Sequence, residues 1–343
     1  LSLEALQDRI REAAARKAPL RLRGGGSKDF YGNAPRGELL DTRAYAGIVS
    51  YEPTELVMTA RCGTPLLEIE EALGDKGQCL PFEPPHFGAA TFGGCVAAGL
   101  SGPRRAAAGA LRDFVLGVKL VDGRGRALVF GGQVMKNVAG YDLSRLAAGS
   151  LGTLGLIAEA SLKVLPVPAC ELSLVLELSE ASALEAMNRW ASQPLPISAT
   201  AWHSGILRVR LSGSEPAVRA AAESLGGTRL AHGEFWRDVR EHRHAFFSGS
   251  ETLWRLAVPS DRPPLGSGDT LIEWGGGLRW VRSGNAREIA AKAGGHATLF
   301  RSGDARQGVF APLDAVTLGL HRRLKAAFDP AGILNPGRMY AEL

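Results

Sequence analysis

Three runs of small residues could meet the charge of a diphosphate. Gly24-Gly25-Gly26-Ser27-Lys28 follows the apolar-alternating segment Leu20–Arg23. Thr91-Phe92-Gly93-Gly94-Cys95-Val96-Ala97-Ala98-Gly99-Leu100-Ser101-Gly102 is built from small residues with two hydroxyls. Gly149-Ser150-Leu151-Gly152-Thr153-Leu154-Gly155 spaces its glycines three apart. Two negative charges in a water-poor crevice need N–H donors at close range, and a chain without Cβ atoms lets the backbone approach. Each run taken alone is also explained by a tight turn or by close helix–sheet packing. Three within one stretch of the chain point to a shared ligand. The dinucleotide fingerprint G-x-G-x-x-G and the G-x-x-x-x-G-K-[ST] phosphate loop are both missing, so a different fold must hold it.

The elements that position these runs are legible from periodicity. Leu3, Leu6, Ile10 and Ala14 recur at helical spacing over residues 3–17, and Pro19 closes that helix. Glu55–Cys62 alternates as a strand. Thr64 then reads as the N-cap, with Pro65 at the first position, of a helix reaching Leu73. Phe114–Asp122 and Ala127–Phe130 are strands joined by the hairpin signal Asp122-Gly123-Arg124-Gly125. Leu156–Leu165 alternates, and Pro166-Val167-Pro168 reads as a linker. From Glu171 the texture changes. Strands near 171–178, 197–202, 206–211, 253–258, 271–274, 279–283 and 296–301 alternate with helices near 181–191, 215–225, 233–246 and 286–293. That pattern predicts an antiparallel sheet covered by helices on one face. A last helix, 313–328, precedes Asp329-Pro330 and Asn335-Pro336-Gly337.

Composition narrows the class. The chain has 343 residues, 45% of them apolar and 22% charged, a globular balance of about two domains. The net charge of +5 is scattered rather than gathered in a basic stripe, which argues against nucleic acid. Cys62, Cys79, Cys95 and Cys170 form no C-x-x-C pair, so zinc and iron–sulfur patterns are absent and the thiols read as buried in a reducing compartment. His242 and His244, two apart on an expected helix, point to different sides and read as solvent-facing; no metal is expected. The first residues read as an amphipathic helix rather than a signal peptide, and no apolar run is long enough to span a bilayer. A cytoplasmic protein is expected.

The runs RGGGSK (23–28), TFGGCVAAGLSGPRR (91–105), LRDFVLGVKLVDGRG (111–125), VMKNVAGYDLSRLAAGSLGTLGLIAEASLK (134–163) and FDPAGILNPGRM (328–339) resemble the FAD-binding PCMH-type, or vanillyl-alcohol-oxidase-type, flavoproteins. Within that family they are most similar to FAD-binding subunits of bacterial glycolate oxidases. The resemblance implies an α+β architecture. A two-lobed PCMH-type FAD-binding domain covers 1–165, with lobes of about 1–55 and 56–165. An antiparallel-sheet cap of the FAD-linked oxidase type covers 166–325, and a segment at 326–343 returns to the FAD domain. It implies that Gly24, Gly25, Gly26, Ser27 and Lys28 take the pyrophosphate. Thr91, Gly93, Gly94, Ala98, Ser101 and Gly102 would lie along the pyrophosphate and isoalloxazine. Gly152, Thr153, Gly155 and Ile157 would line the ribityl and adenine side, and Asn335 would lie near the flavin ring.

The implied activity is oxidation of glycolate to glyoxylate within a complex. An FAD-linked catalytic subunit and an iron–sulfur subunit would be its partners, with peripheral attachment to the inner membrane through them. The alternative is a non-catalytic FAD-binding scaffold or electron relay in the same complex; a stand-alone oxidase of another alcohol or lactone, or a flavin reductase, is the third reading. Many relatives attach FAD through a His in the first glycine loop. Ser27 and Lys28 stand there here, so noncovalent FAD is expected. Oxidising a 2-hydroxy acid also needs a cation for the carboxylate and a base for the hydroxyl proton. Arg301 is the candidate cation, His296 the candidate base, and Lys136, Asn137, Tyr141 and Asp142 form a further polar group suited to the flavin's vicinity. His86, between prolines and beside Phe87, is a turn residue or faces the flavin.

Overall fold

Leu156–Lys163 is buried on both faces, and the first half of the chain is arranged around it. The computed structural model describes residues 1–132, 142–230, 234–249, 252–302 and 308–343. The strand is central in a five-stranded antiparallel sheet ordered Ile48–Glu52, Val57–Arg61, Leu156–Lys163, Val115–Val121, Ala127–Gly131. Its side chains divide between two cores. Ile157 and Ala160 pack with Leu66, Ile69 and Leu73 of the helix Leu66–Gly74 and with Phe92 and Val96 of the helix Phe92–Ala98. Leu156 and Ala158 meet Leu6 and Ile10 of the helix Leu3–Arg16. Leu6 and Ile10 have no exposed surface, and burying each contributes about 1.5–3 kcal/mol. That helix starts at Ser2, whose hydroxyl accepts from the Ala5 amide, and stops where Lys17 turns left-handed at φ 51°.

A second, parallel pair carries the first glycine run. Leu20–Arg23 lies beside Glu38–Asp41. The C-terminal tail adds to its other side, where Leu334 bridges Leu20. The ends of the chain are therefore joined through the strand that leads into Gly24.

The middle of the chain builds an eight-stranded antiparallel sheet. Its order is Thr228–Arg229, Cys170–Glu177, Ile206–Gly213, Ile197–His203, Thr270–Glu273, Leu278–Val281, Leu253–Ala257, His296–Arg301. Alternation along Ile206–Gly213 sets the two faces. Leu207, Val209 and Leu211 pack under the helices Glu180–Ala191 and Glu215–Leu225. Arg210 points the other way, and its guanidinium meets the Glu83 carboxylate of the first half at 2.8 Å. Leu271, Leu278, Trp280 and Phe300 on that same side join Tyr31, Ala98 and Leu100 in one apolar cluster. The α+β layer expected from the sequence is present, but the helices do not all share one face. Glu180–Ala191, Glu215–Leu225 and Ala286–Lys292 cover one side. Glu234–Arg240 lies on the side of the first half of the chain, with Trp236 against Ala199 and Ala201 and Val239 in the shared cluster.

Two local expectations are corrected. The helix expected over 233–246 ends at Arg240, because His242 takes φ 53° and the chain restarts as a short 3-10 turn at Ala245–Phe247. The N-cap of Leu66–Gly74 is Pro65, which offers no side-chain acceptor; the Thr64 hydroxyl instead donates to Arg61 O at 2.8 Å.

Candidate functional site

The three glycine-bearing runs converge on one cleft that opens to solvent. Its walls contain Gly24, Gly25, Gly26, Ser27 and Lys28; Thr91, Gly93, Gly94 and Ala98; Gly152, Gly155 and Ile157; and Asn335. No residue between 166 and 325 lines it among the described residues.

Most of the glycines do their work between protein segments. A Cβ on Gly25 would lie 1.5 Å from Ala89 O, and one on Gly24 would lie 2.1 Å from the Thr91 hydroxyl. A Cβ on Gly93 would lie 2.4 Å from the Cys62 Cβ. Without side chains, Gly24 and Gly25 let the first run pack against Thr91 and Ala89, Gly93 lets the second run pack against Cys62, and together these contacts form the wall. Gly94 differs: a Cβ there would meet only the Thr91 hydroxyl, at 3.1 Å, and the rest of its surroundings is the cleft.

The cleft is shaped for an anion. Among the described residues, none accepts a hydrogen bond from the backbone N–H of Gly25, Gly26, Ser27 or Lys28. Four successive donors without a protein partner form a concave anion site. Among the described residues, the walls also hold Arg21, Arg23, Lys28 and Arg338 against the one carboxylate of Asp29. Asp29 is bound by Arg21 at 2.5 Å and Arg23 at 2.8 Å. Alternation along Leu20–Arg23 is the signal that places both arginines on one face; sequence reasoning did not use it, and it also missed Arg338. The Lys28 ammonium donates to His86 O at 3.2 Å, and burial lowers its pKa. Asn335, at φ 42°, receives the Leu22 amide on its Oδ1 (2.8 Å) and gives its Nδ2 hydrogen to Leu151 O (2.7 Å). Both ends of its amide are used to fasten the first run to the third.

Three of the expected cofactor residues lie elsewhere. Gly99 turns the chain at φ 64°, and its missing Cβ lets Gly149 approach, since a Cβ there would lie 2.8 Å from the Gly149 Cα. Beyond that turn Ser101 and Gly102 leave the cleft and line a separate, smaller cavity against the eight-stranded sheet. The Trp274 indole donates to Gly102 O there at 3.0 Å. Thr153 is buried, its hydroxyl donating to Ser150 O at 2.8 Å.

The catalytic candidates are dispersed. His296 is exposed at the start of its strand and lines neither cavity. Arg301 donates to Phe247 O at 3.3 Å and lies 3.4 Å from His242 Nδ1, also outside both cavities. Lys136, Asn137 and Tyr141 fall outside the described residues; Asp142 caps the helix Leu143–Ala147. His86 holds Glu70 at 3.0 Å and donates its backbone amide to Glu241. His242 is not solvent-facing: its ring stacks on Phe247 at 3.9 Å, with Trp280, Phe300 and Phe87 around it. Burial first, then Arg301 and Arg255, hold its pKa well below the ordinary histidine value. No group of three or more His, Cys, Asp or Glu suited to a metal occurs among the described residues.

The second cavity holds a titrating carboxyl. Glu273 is fully enclosed, accepts the Trp280 indole hydrogen at 2.8 Å, and burial pushes its pKa up to about 7. Unfolded, this group loses its proton near the usual glutamate value, so between there and pH 7 the unfolded state holds fewer protons than the folded one. Stability is therefore predicted to fall as pH rises through that window, by up to about 3 kcal/mol. Glu273→Gln should flatten the dependence of melting temperature between pH 5 and 8. An unchanged slope in the variant would assign it to other groups.

Two family models match parts of the chain. An FAD binding domain matches residues 2–131, and the C-terminal domain of FAD linked oxidases matches residues 307–339. Along nearly its whole length the chain is similar to the glycolate oxidase subunit GlcE of Escherichia coli strain K12. The two are 51% identical over 99% of this chain and 98% of the relative. The chain belongs to the GlcE family of glycolate oxidase subunits, among the FAD-linked oxidases. Its cofactor is FAD, and the open amides and cationic walls of the cleft fit that molecule. More distant relatives match less than half of the chain. Glycolate oxidase subunit GlcD of Bacillus subtilis is 34% identical over 44% of this chain and 33% of its own. D-lactate dehydrogenase of Archaeoglobus fulgidus is 33% identical over 46% and 35%. The solved structure of alkyldihydroxyacetonephosphate synthase shares the fold at TM-score 0.68 and 16% identity, covering 97% of this chain and 74% of that one. No helix among the described residues is long and apolar enough to cross a membrane.

Proposed function

We propose that this chain is the FAD-binding subunit of a multi-subunit oxidase that converts glycolate, a 2-hydroxy acid, to glyoxylate and passes the electrons to a partner. One observation carries the reading: the likeness to a glycolate oxidase subunit runs the full length of the chain, through cleft and eight-stranded sheet alike. We assign residues 1–165 to FAD binding, 166–325 to a cap, and 326–343 to a strap that returns to the cofactor. Bound FAD supplies the two-electron acceptor. The amides of Gly25, Gly26, Ser27 and Lys28 bind its diphosphate, and Gly94 leaves room for it. Arg21, Arg23 and Arg338 set the positive potential of the wall. The partners are an FAD-linked catalytic subunit and an iron–sulfur subunit, in the cytoplasm or peripherally at the inner membrane.

A second reading, in which this chain holds FAD as a scaffold or relay while the partner oxidises the acid, is favoured by one feature. The cleft takes no described wall residue from the cap, and neither His296 nor Arg301 reaches it. Anaerobic addition of glycolate or D-lactate to the flavin-loaded chain separates the two. Bleaching of the chain alone supports oxidation here, whereas bleaching only after partner subunits are added supports the relay. A complex rebuilt with this chain that leaves its flavin yellow contradicts both. Denaturation is predicted to release all the flavin; colour retained on the unfolded chain would mean a covalent bond.

A further inference from the structure

We infer that Arg338, on the C-terminal strap, is a positioning residue for the diphosphate loop. Its guanidinium is buried, with 7% of the residue exposed, in the wall of the cleft. It donates to Tyr31 O at 2.5 Å, Asp29 O at 3.1 Å and Lys28 O at 3.3 Å, and also to Asn33 O. Four carbonyls of the segment 28–33 therefore converge on one cation contributed from more than three hundred residues downstream. The segment begins where the amides of Gly25 to Lys28 have no protein acceptor. Tying its carbonyls to Arg338 fixes the peptide planes that follow those amides and opposes their collapse into an internal turn. The strap itself is held from both sides. Asn33 returns the contact by donating its Nδ2 hydrogen to Gly337 O at 2.8 Å, and its backbone amide donates to Arg338 O at 2.9 Å. The fork geometry matters, because five donors on a rigid plane can serve several carbonyls at once, which a lysine ammonium on a flexible stem does less well.

The ligand class is a nucleoside diphosphate, and the inference rests on the assignment of the cleft to FAD. The test is a titration of apo full-length chain with FAD, and separately with ADP, for wild type, Arg338→Met and Arg338→Lys, alongside apo melting curves. Arg338→Met is expected to raise the Kd for FAD on the order of 100-fold and that for ADP by a similar factor. Arg338→Lys should recover about a tenth of that loss or more, with apo melting close to wild type. Wild-type FAD affinity in Arg338→Lys and in a folded Arg338→Met overturns the inference. So does a loss for FAD without a loss for ADP, which would place the effect away from the diphosphate. If Arg338→Met does not fold, Arg338→Lys decides. A wild-type chain that binds no FAD would fail the cofactor assignment instead, a distinct outcome.

Discussion

Gly94→Val is expected to abolish FAD binding while the apo chain still folds. The Cβ of residue 94 has one neighbour, the Thr91 hydroxyl at 3.1 Å, and otherwise opens into the cleft. The residue sits in the first turn of Phe92–Ala98 with that hydroxyl accepting its amide hydrogen at 3.3 Å, so a side chain is not excluded by backbone geometry. Gly to Val in a helix is close to neutral or mildly favourable in propensity. The branched methyls would fill space the ligand needs, and loss of at least 100-fold in affinity, about 3 kcal/mol, is the expected scale. Gly25→Val should lose FAD as well, by another route. Its Cβ strikes Ala89 O at 1.5 Å, so the first and second runs must separate and the apo protein should melt lower. Gly277→Val is the control, since a Cβ there makes ordinary contacts at 3.4 Å and 3.6 Å and lines neither cavity. Flavin titration with melting curves for all three variants checks the ordering. Normal FAD affinity in Gly94→Val would remove the second run from the cofactor wall.

Lys325→Met should cost about 3–5 kcal/mol of stability, the range for breaking one partner of a buried ion pair. The ammonium lies 2.7 Å from the Asp329 carboxylate, which has no exposed side-chain surface, and also donates to Thr153 O at 2.8 Å and Leu334 O at 2.7 Å. Removing it leaves a buried carboxylate and two carbonyls without that donor. Asp329 also accepts the Leu334 amide hydrogen at 2.7 Å, so the strap loses its anchor at the same point. The double variant Lys325→Met/Asp329→Asn removes the stranded charge and should recover part of the loss. Chemical denaturation of the three proteins measures this. A Lys325→Met chain within 1 kcal/mol of wild type would show that the strap is held by other contacts.

The sequence was most informative where one period ruled. Leu6 and Ile10 on their helix, and Leu207, Val209 and Leu211 on their strand, declare their buried faces by spacing alone. Both halves of the fold follow from such patterns. The convergence of three glycine runs was legible because small residues in strand-following loops have few other uses in such number. Their mechanism was not. Gly25 and Gly93 look in sequence like residues that admit a ligand, yet they admit Ala89 and Cys62, contacts made across tens of residues that spacing does not encode. Ser101 left the cleft because a single left-handed turn at Gly99 redirects the chain. His242 was misplaced because an expected helix ended at Arg240, and its ring was captured by Phe247 of the following 3-10 turn and by Trp280 of a distant strand. Arg338 escaped notice because carbonyl partners leave no mark in a sequence.

A structure of the full chain with FAD bound tests the central assignment most directly. The account predicts diphosphate oxygens within hydrogen-bonding distance of the amide nitrogens of Gly25, Gly26, Ser27 and Lys28, with Gly94 against the ligand. Flavin found elsewhere on the chain, with those four amides bonded to protein or solvent alone, would contradict it.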